Sequence, residues 1–167
     1  MKLILLMAIT ADGIIAKNKF ELVDWTGKED KKHFVLTTKK AKVVIMGSKT
    51  YDTIGKPLID RKNIVLTRNK KRKSKDKQHL VFTDQSPKKI LKALEKEGFE
   101  SAVLIGGSKV NTLFIKENLI NEIHLTIVPK LFGKGLCMFK DFLNVKLNLI
   151  DVQKIGKTHI LLKYKIN

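Results

Sequence analysis

One cysteine, three prolines and a 7% share of aromatic residues leave several protein classes out from the start. Cys137 has no second thiol to pair with, so an internal disulfide scaffold is excluded and a reducing cytoplasm is the expected setting. Its thiol is expected to be buried and inert rather than reactive. Long hydrophobic runs are missing too. The stretch Leu3–Ile9 is broken at once by Thr10, Asp12 and Gly13, far short of the roughly 18–20 apolar residues that cross a bilayer. No small-residue cleavage site follows it, so it does not read as a signal peptide. His33, His79, His124 and His159 are scattered without metal-ligand spacing, and no Ser/His/Asp or Cys/His grouping offers a nucleophile. Acidic residues are scarce: 16 Asp and Glu face 34 Lys and Arg, a formal net charge of +18.

A field of that sign favours anionic partners such as nucleotides, polyglutamates, nucleic acid or membrane surfaces. The basic residues are nevertheless spread along the chain. Only the run from Lys70 to Lys77 is dense, and it lies between two strand-like segments, where a solvated loop is the expectation. Aromatic residues are sparse around it, so the stacking platform of a single-strand binder is absent and nucleic acid is not the expected partner. A membrane partner is not expected either. At 167 residues with 43% apolar content, the chain suits one globular domain, here read as 1–167, either a monomer or a homodimer. The apolar segment Leu131, Phe132, Leu136, Met138 and Phe139 is read as core packing or an interface.

Strand and helix signals alternate. Lys2–Ile9 and Val43–Met46 are apolar runs suited to buried strands, the second closed by Gly47. Between them, Ala11 to Asp24 has no steady period, and its length marks a functional loop. A helix then opens on Thr26 with Glu29 three residues later, a capping-box pattern. A short helix from Ser48 to Ile54 ends at Gly55, and strands follow at Asn63–Thr67 and Leu80–Thr83. Ser86-Pro87, then Ile90, Leu91 and Leu94 with Gly98 beyond, predicts an amphipathic helix. Ala102–Ile105, a helix from Lys109 to Asn118, the strand Glu122–Val128 and a hairpin turning near Gly156 complete the order. This pattern predicts an α/β fold in three layers, with a mostly parallel central sheet and an antiparallel C-terminal strand.

Two strands end in glycine as a helix begins, at Gly47-Ser48-Lys49-Thr50 and Gly106-Gly107-Ser108-Lys109. Free N–H groups and partial positive charge suit such junctions to phosphate, and two of them suit a dinucleotide lying across the sheet. The Gly-x-Gly-x-x-Gly fingerprint is absent, and Gly47-Ser48-Lys49-Thr50 lacks the glycine that a P-loop needs before its lysine. Asp30 and Phe34 are four residues apart on the first helix and share a face. Asp30 is either a first-turn acid favoured by the helix dipole or a buried functional carboxylate. With no nucleophile and no metal cluster, redox chemistry on a bound cofactor is a reasonable class.

The block Met46-Gly47-Ser48-Lys49-Thr50-Tyr51-Asp52-Thr53-Ile54-Gly55-Lys56-Pro57-Leu58, continued by Arg61-Lys62-Asn63-Ile64-Val65-Leu66-Thr67-Arg68, resembles the central signature of dihydrofolate reductases. Met7-Ala8, Trp25 with Asp30 and Phe34, Ile105-Gly106-Gly107 and Leu125-Thr126 follow in the same order, so the resemblance covers nearly the whole chain. It implies NADPH as cofactor and dihydrofolate as substrate, reduced to tetrahydrofolate. Asp30 would hydrogen-bond the amino-pyrimidine edge with support from Thr126, and these two are the implied catalytic residues. Ala8, Phe34, Ile54, Leu58 and Ile105 would pack the substrate, and Arg61 would clamp its α-carboxylate. The resemblance assigns the cofactor's phosphates and adenosine to Gly47, Ser48, Lys49, Thr50, Leu66, Thr67 and Arg68, with Gly106, Gly107, Ser108, Lys109 and Val110 at the pyrophosphate. Ala8, Ile15, Ala16 and Ile105 would line the nicotinamide, and the glycine pair is often joined by a cis peptide in this family.

Some residues depart from that pattern. Ser48 stands where many members have Arg, Ser108 replaces a third glycine, and Lys31 takes a position that is commonly apolar. Ala11-Asp12-Gly13-Ile14-Ile15-Ala16 and Pro129-Lys130-Leu131-Phe132-Gly133-Lys134-Gly135 look more like the riboflavin-pathway reductases, which reduce a ribosylaminopyrimidine phosphate on the same fold. That substrate is the alternative. A non-catalytic nucleic-acid binder is the alternative from another class, resting on the charge alone.

Overall fold

Apolar residues in unbroken runs build the centre of the sheet, because strands covered on both faces need no polar side. The computed structural model describes residues 1–167. In chain order, β1 (Lys2–Thr10) and β2 (Ile14–Ala16) precede α1 (Gly27–Ala41), followed by β3 (Val43–Gly47) and α2 (Ser48–Ile54). Next come β4 (Lys62–Leu66), β5 (Leu80–Thr83), α3 (Pro87–Lys96), β6 (Ser101–Leu104) and α4 (Ser108–Lys116). The chain ends with β7 (Glu122–Val128), β8 (Leu136–Cys137), β9 (Leu147–Ile155) and β10 (His159–Ile166). Eight strands form one sheet in the order β5-β4-β3-β6-β1-β7-β10-β9. Pairing is parallel from β5 to β7 and antiparallel on both sides of β10, so this is the expected α/β architecture.

Helices cover both faces. Leu3, Leu5, Val43, Ile45 and Ile64 meet Ile90 and Leu94 of α3 and Phe114 of α4 on one side. Leu6, Val44, Met46, Val65, Val103 and Ile105 meet Ala41 of α1 on the other, with Phe34, Tyr51 and Ile54 packed against them. Phe114 is fully buried, which is worth about 1.5–3 kcal/mol in transfer free energy.

Three expectations need correction. Thr26 does not form a capping box: it lies in the right-handed helical region and its side chain makes no cap hydrogen bond. It is buried instead, so tertiary packing overrides the local signal. The loop from Ala11 to Asp24 is not wholly irregular, because residues 14–16 pair antiparallel with β8, itself too short to carry a periodic signal. Cys137 is exposed rather than buried, since β8 lies on the rim of the molecule. Within the apolar segment, Met138 and Phe139 pack on the core while Leu131 stays largely exposed.

Candidate functional site

The carboxyl ends of the parallel strands gather most of the residues singled out above. Ala8 of β1 is paired with Thr126 of β7, and Gly47 of β3 with Leu66 of β4. Ile105 follows β6, and its N–H donates to the Ile45 carbonyl (2.9 Å), keeping it in line with the sheet. The two glycine junctions touch: the Gly47 N–H donates to the Gly106 carbonyl at 2.8 Å. A Cβ on Gly47 would sit 2.9 Å from Val110 Cγ2, and one on Gly107 would sit 3.4 Å from Thr50 Oγ1. The Gly106–Gly107 peptide is cis. Neither α2 nor α4 has a side-chain cap, and in α4 the Val110 N–H turns back to the Gly107 carbonyl at 2.9 Å, leaving the earlier N–H groups of each first turn without a side-chain partner. Lys49, Arg68 and Lys109 are exposed, whereas Ser48, Thr50 and Thr67 are half-buried.

One face of α1 forms the wall of the second half. Asp30 and Phe34 are half-buried and Thr38 is fully buried, whereas the neighbouring Glu29, Lys31 and Lys32 are exposed. The Thr38 hydroxyl donates to the Phe34 carbonyl (2.7 Å) and accepts from Arg61 Nη1 (2.8 Å). Arg61 Nε donates to the Ile59 carbonyl (2.8 Å), and the residue is only 7% exposed. Burial pulls the guanidinium below its usual value, with Asp60 acting in the opposite direction. Ile54 and Leu58 are half-buried beside Phe34 over the same apolar cluster. Eight residues of helix separate Asp30 from Thr38, about 12 Å along the axis at 1.5 Å per residue. A carboxylate, an aromatic and apolar middle and a buried guanidinium thus follow one another along one side of α1.

Six buried polar side-chain atoms lack a hydrogen-bond partner within the chain: Trp25 Nε1, His33 Nε2, Asn111 Oδ1, His124 Nδ1, Thr126 Oγ1 and His159 Nε2. This state costs free energy unless something else pairs with them. Trp25 closes the loop before α1 and packs edge-on to Phe132, with centroids 5.0 Å apart.

Sequence reasoning missed the device that ties the two loops of the rim together. The Asp12 carboxylate accepts from the Thr10 hydroxyl (2.5 Å), the Gly133 N–H (2.6 Å) and the Phe132 N–H (3.1 Å). The Thr10 hydroxyl first, then the Gly133 N–H, hold its carboxyl below the usual range. Ser108 Oγ donates to the Cys137 carbonyl (2.5 Å), joining α4 to β8. Ile15 and Ala16 are buried beneath this latch. Asp12 followed by Gly13 was the only signal, and an Asp-Gly pair more often marks a simple turn.

Residues 2–159 match the family model described as dihydrofolate reductase. A putative dihydrofolate reductase of Caenorhabditis elegans is 32% identical, over 93% of this chain and 82% of the relative. Among solved structures, a putative riboflavin biosynthesis protein from Shewanella sp. PV-4 superposes with a TM-score of 0.85 at 21% identity, covering 100% of this chain and 99% of that one. The dihydrofolate reductase of Enterococcus faecalis, complexed with NADP(H) and RAB-propyl, gives 0.74 at 23% identity over 99% and 96% of the two chains. Both likenesses speak for the fold. The matched model spans almost the whole chain, cleft and glycine junctions included, and this protein is therefore an oxidoreductase of the dihydrofolate reductase family.

Proposed function

We propose that the protein reduces 7,8-dihydrofolate to tetrahydrofolate with NADPH. The observation that carries this reading is the single face of α1 that offers Asp30, Phe34 and the Thr38-held Arg61 in sequence. A substrate with an amino-pyrimidine head, an aromatic middle and a carboxylate tail matches that series group for group. The Asp30 carboxylate accepts hydrogen bonds from the amino-pyrimidine edge, and Thr126 Oγ1 and Trp25 Nε1 find partners there, directly or through water. Arg61, already oriented by two neutral acceptors, clamps the α-carboxylate. The uncapped first turns of α2 and α4 suit a dinucleotide's phosphates, with Lys49 and Arg68 beside the 2′-phosphate in place of the usual arginine at position 48. Bound NADPH supplies hydride. The protein's part is to orient the ring, exclude water and, through Asp30, favour protonation of the ring nitrogen as hydride arrives. Water is the immediate proton donor.

Loss of NADPH absorbance with dihydrofolate tests the reading. Asp30→Asn should keep the fold by circular dichroism yet lower turnover about 10²–10⁴-fold near neutral pH; undiminished turnover removes Asp30 from the mechanism. A second reading, reduction of a ribosylaminopyrimidine phosphate, is favoured by the Asp12-latched Gly133–Gly135 loop and by the Shewanella likeness. Activity on that compound alone would overturn the first reading.

A further inference from the structure

Three side chains of α4 are committed to one short stretch of chain. Ser108 Oγ donates to the Cys137 carbonyl (2.5 Å), and Asn111 Nδ2 donates to the Met138 carbonyl (3.0 Å). Thr112 Oγ1 accepts from the Lys140 N–H (2.9 Å). Residues at i, i+3 and i+4 share one face of a helix, and all three are buried. The stretch that they hold includes β8, which is only two residues long, and no other strand or helix lies between β7 and β9. Side chains of α4, rather than a long ladder, therefore fix its place. β8 in turn pairs with β2, Cys137 opposite Ile14 and Leu136 opposite Ala16.

Buried polar groups on a helix need partners, and a neighbouring loop can supply them without further consequence. Here, however, the helix is the one whose first turn is proposed to take the cofactor's pyrophosphate. A hydroxyl has a single proton to donate: that of Ser108 goes to Cys137, and that of Thr112 returns to the Ser108 carbonyl at 2.8 Å. An ionised pyrophosphate offers only acceptors, so the Ser108 side chain has nothing left to give it. Backbone N–H groups of the first turn and Lys109 remain for that role. We infer that Ser108 is a positioning residue of the cofactor site, whose hydroxyl, with Asn111 and Thr112, fastens the β8–β2 pair to α4 as the wall for the nicotinamide half. The helix that takes the phosphates then also sets the place of the hydride-donating ring. A loosened β8–β2 pair has to be ordered again when the whole dinucleotide binds, at a cost in affinity. This inference rests on the NADPH reading and deepens it, and it holds for either substrate.

The test is calorimetric titration of the whole protein with NADPH and with 2′-phospho-ADP-ribose, which keeps the adenosine and pyrophosphate and lacks the nicotinamide. Ser108→Ala should bind NADPH about three- to tenfold more weakly, the size of one lost buried hydrogen bond, with the affinity for 2′-phospho-ADP-ribose kept within about twofold. Thr112→Val, one turn further along α4 from the phosphates, should show the same split. In both variants amide hydrogen exchange at residues 14–16 should quicken. Equal weakening of the two ligands in Ser108→Ala means that the hydroxyl serves the pyrophosphate directly, and it overturns the inference. Unchanged NADPH affinity in both variants overturns it too. Wild-type protein that binds neither ligand overturns the NADPH reading itself, and the positioning role with it.

Discussion

Asp12 makes three hydrogen bonds with one exposed carboxylate, and through them the rim loops keep their shape. Its partner Phe132 leans on Trp25, the one tryptophan of the chain, so the latch has a spectroscopic reporter. Asp12→Ala should raise KM for NADPH about three- to tenfold, shift Trp25 fluorescence and alter dihydrofolate binding less, because Ile15 and Ala16 lie under the latch and Arg61 does not. An unchanged Trp25 spectrum together with an unchanged KM would separate the latch from the cofactor site. At the other end of the cleft, Arg61→Lys should raise KM for dihydrofolate about 10–100-fold with kcat nearly kept, since an ammonium cannot reproduce the two-pronged contact. Asp30 was visible in the sequence through its spacing to Phe34. Asp12 was not, because its partners lie about 120 residues away and its worth depends on where that distant loop returns.

At the scale of elements, the approach of β3 to α4 sets the width of the cofactor side. Gly47 is in an extended conformation that other residues adopt freely, so its glycine is required by space rather than by backbone strain. Gly47→Ala would force its Cβ against Val110 Cγ2 and prise α4 from the sheet. The expected result is about 1–3 kcal/mol lost in urea unfolding and a larger relative loss of NADPH affinity. Wild-type stability in that variant would mean that Val110 simply rotates aside. Most elements could be read from apolar runs and from the punctuation of Gly47, Gly55, Pro87 and Gly98, because burial on both faces and chain reversal are local demands. The Thr26 capping pattern misled for the opposite reason: the packing of Thr26 decides its rotamer, and packing is not local.

At the scale of the molecule, charge and burial set the response to acid. His33 of α1 and His124 of β7 stack with centroids 6.0 Å apart. Burial, the largest cause in each, lowers both below the ordinary 6.5; Asp30 and Glu122 act against that, and Lys163 and Lys2 with it. A histidine with a depressed folded-state pKa favours the neutral form in the native protein. Its contribution is therefore complete above about pH 6.5 and declines as pH falls below that value. Asp12, Asp52 and Asp151, lowered chiefly by hydrogen bonds from Thr10, Arg72 and Lys163, add a second decline below the ordinary 3.8. Thermal melts should thus be level near pH 7–8 and fall in two stages on acidification. In His33→Gln the first stage should be smaller; an identical pH profile would remove the histidine pair as its cause. The C-terminal hairpin sets Leu161 of β10 opposite Thr126 and leaves Leu149, Ile150 and Val152 exposed on the edge strand β9.

The sequence by itself determined the α/β order, the two glycine junctions and the family, because runs, spacing and local motifs act over a few residues or are matched by type. Only the tertiary structure decided that Arg61 is buried on Thr38, that Asp12 ties two distant loops, and that Cys137 faces solvent. Each of these depends on which parts of the chain meet after folding, and no local pattern encodes a meeting between residues 20 to 120 positions apart.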